Sequence, residues 1–129
     1  MNDATLEPLQ KIQDEISAAC RIAGREATDV QLIAVSKTRE AEAIRPLLST
    51  GQRRFGENRV QEAEAKWPPL KAEFPNVELH LIGQLQSNKA RDAVRLFDCV
   101  HSLNRPALVS ALANAMDAAA RRIPCFVQV

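Results

Sequence analysis

Lys37 is the residue whose type and position best suit covalent chemistry. It closes the run LIAVSK, and strand alternation puts it on the face of Ile33 and Val35. If that face is enclosed, the ammonium loses hydration and its pKa falls, the condition for condensation with an aldehyde. The plainer role is a lysine that leaves a strand end and carries its charge to water. Other apolar runs end similarly: Phe55-Gly56 leads to Glu57 and Asn58, His80 is followed by Gly83 and Gln84, and a further run ends at His101 and Ser102. Asn58 suits a ligand oxygen or the cap of a following helix. Glu57 would balance a cationic centre or sit in a first helical turn, where a carboxylate is favoured. His80 shares a face with Glu78 and Ile82; His80 and His101 are each either hydrogen-bonded core histidines or ligands. They fall on different strands without a carboxylate cluster, so no metal site is expected. Gln86-Ser87-Asn88-Lys89 would hold an anion at a helix N-terminus or simply cap it.

These residues need elements to carry them. Apolar residues Leu6, Leu9, Ile12, Ile16, Ala19 and Cys20 recur at helical spacing and predict a helix over about 4–21, stopped by Gly24. Residues 30–36 read as a strand buried on both faces. Residues 40–48 read as a helix ended near Gly51, 53–56 as a short strand, and 57–66 as a helix punctuated by Pro68, Pro69 and Pro75. Strand 77–82 follows, closed by Gly83. Ser87 caps a helix over 88–96, strand 98–102 follows, and Asn104 caps a helix to about 121 with Pro106 in its first turn. Residues 123–129 form a fifth strand. Strand centres recur every ~20–27 residues, the spacing of βαβ units with a parallel sheet.

Two α/β architectures fit: a doubly wound flavodoxin-type sheet, or the N-terminal part of a (β/α)8 TIM-type barrel, which needs ~250 residues. In both, function gathers at the carboxyl ends of the strands, where Lys37, Asn58 and His80 fall. No Walker or dinucleotide-binding glycine motif occurs. The first strand ends in SKTRE, without the glycine turn of a flavin-phosphate loop and without the acidic pair of a response-regulator receiver domain, and both comparisons weaken the doubly wound choice.

Composition narrows the classes. The chain has 129 residues, 46% hydrophobic and 26% charged, which suits one globular domain. Its formal net charge of +1 and its 4% aromatic content, with no Tyr, argue against nucleic acid and anionic membranes as partners. Cys20, Cys99 and Cys125 form no C-x-x-C pair, so reduced thiols in a cytoplasmic protein are expected. The acidic N-terminus lacks an apolar signal core, and no apolar run approaches the ~20 residues of a membrane helix.

The stretches LIAVSKT, FGENRVQEA, ELHLIGQLQSNKA, FDCVHSLNRP and FVQV together resemble the pyridoxal-phosphate homeostasis proteins, whose fold is similar to the N-terminal barrel of alanine racemase. The resemblance runs through almost everything after residue 30. It implies a (β/α)8 barrel of which residues 1–129 are the N-terminal portion, ending in the fifth strand. It implies pyridoxal 5′-phosphate carried as an aldimine on Lys37, Asn58 beside the ring and His80 at the rim. It further implies a carrier or regulator in intracellular vitamin B6 balance, without catalysis of its own. Its partners would be PLP-dependent apo-enzymes, and it would be a monomer at full length. Leu79 and Gln84 depart from the family's commoner aromatic and histidine. The family's phosphate-binding segments and its arginine near the pyridine nitrogen have no counterpart within these residues. Five strands of a barrel leave two open edges and one uncovered interior face, so the isolated chain is expected to be marginal or molten. The competing reading is an amino-acid racemase. Racemisation needs a base on each face of the substrate, and the similar racemases take the second from a tyrosine, a residue this chain lacks.

Overall fold

A computed structural model describes residues 6–129. Helix α1 (Leu6–Ala23) leads through a 3-10 turn (Ala27–Asp29) to β1 (Ala34–Val35). Strand and helix then alternate: α2 (Ala41–Ser49), β2 (Arg54–Glu57), α3 (Val60–Glu73), β3 (Glu78–Leu81), α4 (Ala90–Leu96), β4 (Cys99–Leu103), α5 (Pro106–Ala119) and β5 (Cys125–Val127). All neighbouring strands are parallel, and their order is β1-β2-β3-β4-β5. A doubly wound sheet reverses direction at a switch point; a barrel adds each strand beside the last. The consecutive order therefore selects the barrel architecture, represented by its N-terminal part.

The two faces of the sheet differ sharply. Phe55, Glu57, Leu79, Leu81, Val100 and Ser102 are fully buried beneath the helices. They meet Ile44 and Leu48 of α2, Ala63, Trp67 and Leu70 of α3, Val94 of α4 and Leu108 and Leu112 of α5 in one core, apart from the polar Glu57 and Ser102. Alternate residues Val35, Gly56, His80 and Cys99 share one layer of the opposite face, by the register Val35↔Gly56↔His80↔Cys99. In a closed barrel that second face is the interior. Here it is open: Val35 is 53% exposed and Phe126 58%.

Several expected elements differ. The first strand is two residues long, not 30–36, and is not buried on both faces; it is an edge with a partner on one side only, and Gln52 Nε2 instead satisfies the Leu32 carbonyl at 2.8 Å. Helix α3 runs through Pro68 and Pro69 to Glu73, where punctuation was expected. Each proline removes one helical N–H, but Trp67 and Leu70 on the same turns are fully buried, and that burial holds the helix together. Neither Ser87 nor Asn104 caps a helix: the cap positions are Lys89 and Arg105, without side-chain cap bonds. Both polar side chains turn to loop contacts, Ser87 Oγ accepting from Arg105 and Asn104 Nδ2 donating to Gln84 Oε1 at 2.9 Å. Of the expected α1 stripe, Leu9 and Cys20 are buried but Ile12 is 44% exposed, and residues 4–5 lie outside the described part.

Candidate functional site

The chain leaves β1 through a short turn that carries Lys37. Ser36 N–H extends the ladder to the Gly56 carbonyl at 2.9 Å, and Ser36 is buried. Lys37 itself is exposed and lies beyond the end of the strand, not on an enclosed face. Thr38 has φ 62, a left-handed conformation that a β-branched residue adopts only when its surroundings enforce it. The enforcing contacts are specific. Thr38 N–H donates to Glu62 Oε2 at 2.6 Å, and Lys66 Nζ donates to the carbonyls of Ser36 at 2.8 Å and Arg39 at 2.9 Å. The turn is thus tied down on both sides of Lys37 by α3, while the lysine side chain has no hydrogen bond or ion pair among the described residues.

Behind that turn lies a buried polar cluster that sequence reasoning missed. Glu57 is fully buried on the helix side of β2. Its Oε2 accepts from Ser36 Oγ at 2.5 Å, Trp67 Nε1 at 3.0 Å and Lys66 Nζ at 2.9 Å. The Lys66 side chain is only 8% exposed and also reaches Glu62 at 3.3 Å. Burial pushes the Glu62 pKa up, but the Thr38 N–H and the Lys66 ammonium outweigh it and hold the carboxyl below its usual value. Of the two roles open to Glu57, balancing a cation is the one seen, and the cation is the protein's own Lys66. Alternation was the available signal: with Gly56 and Asn58 on the interior face, Glu57 must point under the helices, where a carboxylate needs a partner.

Asn58 follows β2 at the same rim. Among the described residues its side chain makes no hydrogen bond, and it does not cap α3, whose cap position is Arg59. Gly83 packs directly on its backbone: a Cβ there would lie 2.9 Å from Asn58 Cα and 3.0 Å from its carbonyl carbon, closer still to the oxygen. Gly83→Ala is therefore expected to destabilise by about 1–3 kcal/mol and to displace the Asn58 loop. Urea unfolding reads the first effect, and amide chemical-shift changes confined to residues 57–60 and 82–85 read the second. A cavity of about 330 Å³ opens beside Asn58, bordered by Arg59, Gln84, Gln86 and Lys89. The Gln86–Lys89 stretch is mainly a 3-10 turn (Ser87–Lys89), not the start of a long helix.

His80 lies in the layer below Asn58 and meets His101 on β4, Nδ1 to Nε2 at 2.9 Å. Phe126 covers the outer face of His101, ring centres 4.9 Å apart. Burial, and then the neighbouring His101, lower the His80 pKa, against weaker pulls from Glu78 and Asp98; Arg54 adds to the lowering. Burial lowers His101 as well. Both rings therefore bind fewer protons folded than unfolded once pH drops below about 6.5. Their contribution to stability is present above that value and is lost as pH falls through the lowered values of the folded state. In EDTA-containing buffer the urea midpoint of the wild type should fall between about pH 7 and about pH 5.5, and fall less in His101→Asn.

Lys37 and Asn58 thus come to one rim of the sheet, with His80 one layer beneath. Gly56 sits in the His80 layer, where the side chains of Ile82 and Ile33 close over it: a Cβ there would lie 3.1 and 3.2 Å from them.

Comparison with known proteins identifies relatives of the whole described fold. The model of the alanine racemase N-terminal domain matches residues 9–129. The pyridoxal phosphate homeostasis protein of Escherichia coli K12 is 37% identical over 130 residues, covering 100% of this chain and 55% of that protein. The protein of that name from Pseudomonas aeruginosa PAO1 is 38% identical over 123 residues, covering 95% of this chain and 53% of that protein. PipY of Synechococcus elongatus PCC7942, solved with PLP bound, superposes with a TM-score of 0.73 at 44% identity, over 88% of this chain and 52% of PipY. A Bifidobacterium adolescentis protein of unknown function superposes with a TM-score of 0.85 at 31% identity, over 92% of this chain and 52% of that one. The chain therefore spans about half the length of the relatives it matches. On the match of sequence and fold, the chain belongs to the alanine racemase N-terminal domain family.

Proposed function

We propose that residues 1–129 are the N-terminal portion of a single barrel domain that binds pyridoxal 5′-phosphate on Lys37 and serves vitamin B6 homeostasis in the cytoplasm without catalysis of its own. The observation that carries this reading is the exposed Lys37 on a turn fixed by Glu62 and Lys66, at the same rim as Asn58, neither side chain having a hydrogen-bond partner among the described residues. The cavity of about 330 Å³ beside Asn58 opens at the same rim. When bound, pyridoxal phosphate supplies an aldehyde that condenses with one amine and exchanges to another. The chain's own residues do the rest. Lys37 presents its amine at the rim, Asn58 offers a hydrogen bond to a ring substituent, and His80 borders the space below. The names of the relatives support a homeostatic role, and PLP-dependent apo-enzymes are the proposed recipients. The monomeric state is part of the same proposal. No helix among the described residues is long and apolar enough to cross a membrane.

The test is borohydride trapping with a small excess of pyridoxal phosphate, then peptide mapping. The structure sharpens the competition among Lys11, Lys37, Lys66, Lys71 and Lys89. Lys66 is held in the buried cluster, and Lys71 Nζ is bound to the Leu96 carbonyl at 2.6 Å. Label should concentrate on Lys37 and vanish in Lys37→Arg. Label spread over Lys11 and Lys89 instead would sink the assignment. Alanine racemisation by the purified protein would replace it with the enzymatic reading.

A further inference from the structure

Three groups with metal-ligating chemistry meet on the open face of the sheet. His80 of β3 and Cys99 and His101 of β4 each offer one ligand atom, all within 4.8 Å of one another. The register makes this possible: His80 pairs directly with Cys99, and His101 stands two residues further along the same face. His80 and Cys99 are buried, and Phe126 shields His101. The sequence alone concealed the cluster because the two histidines are 21 residues apart on different strands.

We propose that His80, Cys99 and His101 bind a zinc-type transition-metal ion. The ligand set is two imidazoles and one thiolate, a borderline-soft combination that suits Zn²⁺ and disfavours Mg²⁺ or Ca²⁺. The facing ring nitrogens, 2.9 Å apart, share one proton between two lone pairs when no ion is bound. An ion of ~2.0–2.1 Å bond length needs only a slight opening of that gap to take both lone pairs. The Cys99 thiol, pushed up to about 11 by burial and then by Cys125, Glu78 and Asp98, is protonated without an ion. Binding therefore replaces its S–H bond with a metal–sulfur bond and releases that proton to solvent. With three protein ligands, a water completes the tetrahedron.

A second feature points the same way. The other nitrogen of His80, Nε2, is buried and has no hydrogen-bond partner among the described residues. It faces Glu78 Oε1 at 3.6 Å. Once Nδ1 is committed to an ion, Nε2 carries the proton and aims it at that carboxylate, the arrangement by which second ligand shells orient a metal-bound histidine. Arg54, 3.2 Å from Glu78, steadies the carboxylate from the adjacent strand.

Cobalt(II) titration of the metal-free chain tests the site directly and makes no use of the cofactor. Co²⁺ should develop tetrahedral d–d bands and a thiolate charge-transfer band, and Zn²⁺ should displace both. Cys99→Ser should abolish the charge-transfer band, whereas Cys125→Ser should leave it intact. Glu78→Gln should weaken binding about 10–100-fold. His101→Asn guards against a folding defect in any one variant, and it should lose the tetrahedral bands while keeping its far-ultraviolet circular dichroism. A charge-transfer band that survives Cys99→Ser, or Co²⁺ that stays octahedral in the wild type, overturns the proposal. Trapping at Lys37 is read separately, so failure of one assignment is distinguishable from failure of the other.

Discussion

Replacing Lys66 with Met should destabilise the protein by about 3–5 kcal/mol, because it leaves the Glu57 carboxylate buried without its counter-charge. Glu57 is fully enclosed, and Lys66 is the one cation on its Oε2 among the described residues. Solvent cannot compensate a charge at that depth. Against a typical total of about 5–15 kcal/mol, the loss is large. A double variant, Glu57→Gln with Lys66→Met, removes the stranded charge and should recover much of the deficit. Urea unfolding of the two single variants and the double variant gives the coupling directly. A Lys66→Met variant within about 1 kcal/mol of wild type would overturn this account of the pair. The same substitution removes the bonds to the Ser36 and Arg39 carbonyls, so amide exchange around Lys37 should quicken while β3 and β4 stay protected.

Trp67→Ala should be comparably damaging, at about 3–5 kcal/mol. The indole is fully buried, lies 5.2 Å from the Phe55 ring and donates to Glu57 at 3.0 Å. Two effects are combined there, and a second variant separates them. Trp67→Phe keeps most of the packing and removes the N–H, so its loss should be nearer the ~1.5–3 kcal/mol of a hydrogen bond to a charged group. Equal losses in the two variants would assign the whole effect to the hydrogen bond. A negligible loss in Trp67→Phe would assign it to packing.

The distribution of what sequence reasoning reached has physical causes. Apolar runs of branched residues announced the strands, and their spacing announced parallel pairing, because burial against helices writes itself into every second residue. The ends were harder. Pro68 and Pro69 read as breakers, yet the burial of Trp67 and Leu70 carries α3 past them. Ser87 and Asn104 have capping chemistry, but Arg105 and Gln84 claim them first. Periodicity also left the barrel and the doubly wound sheet equally open, because strand order is a property of space. At the rim, local motifs placed Lys37 and Asn58. The Glu57–Lys66 pair and the His80–His101 contact depend on which strands and helices become neighbours, and no local pattern encodes that.

The consecutive strand order has a consequence for synthesis. Each new strand docks on the one made immediately before it, so every pairing closes a loop of roughly one βα unit. Among the described strands none waits for a distant partner, which keeps the sequence separation of these sheet contacts low. The sheet can therefore grow vectorially at the ribosome, with the newest strand as its advancing edge. The Lys37 turn would be fixed as soon as α3 delivers Glu62 and Lys66, well before β4 and β5 emerge.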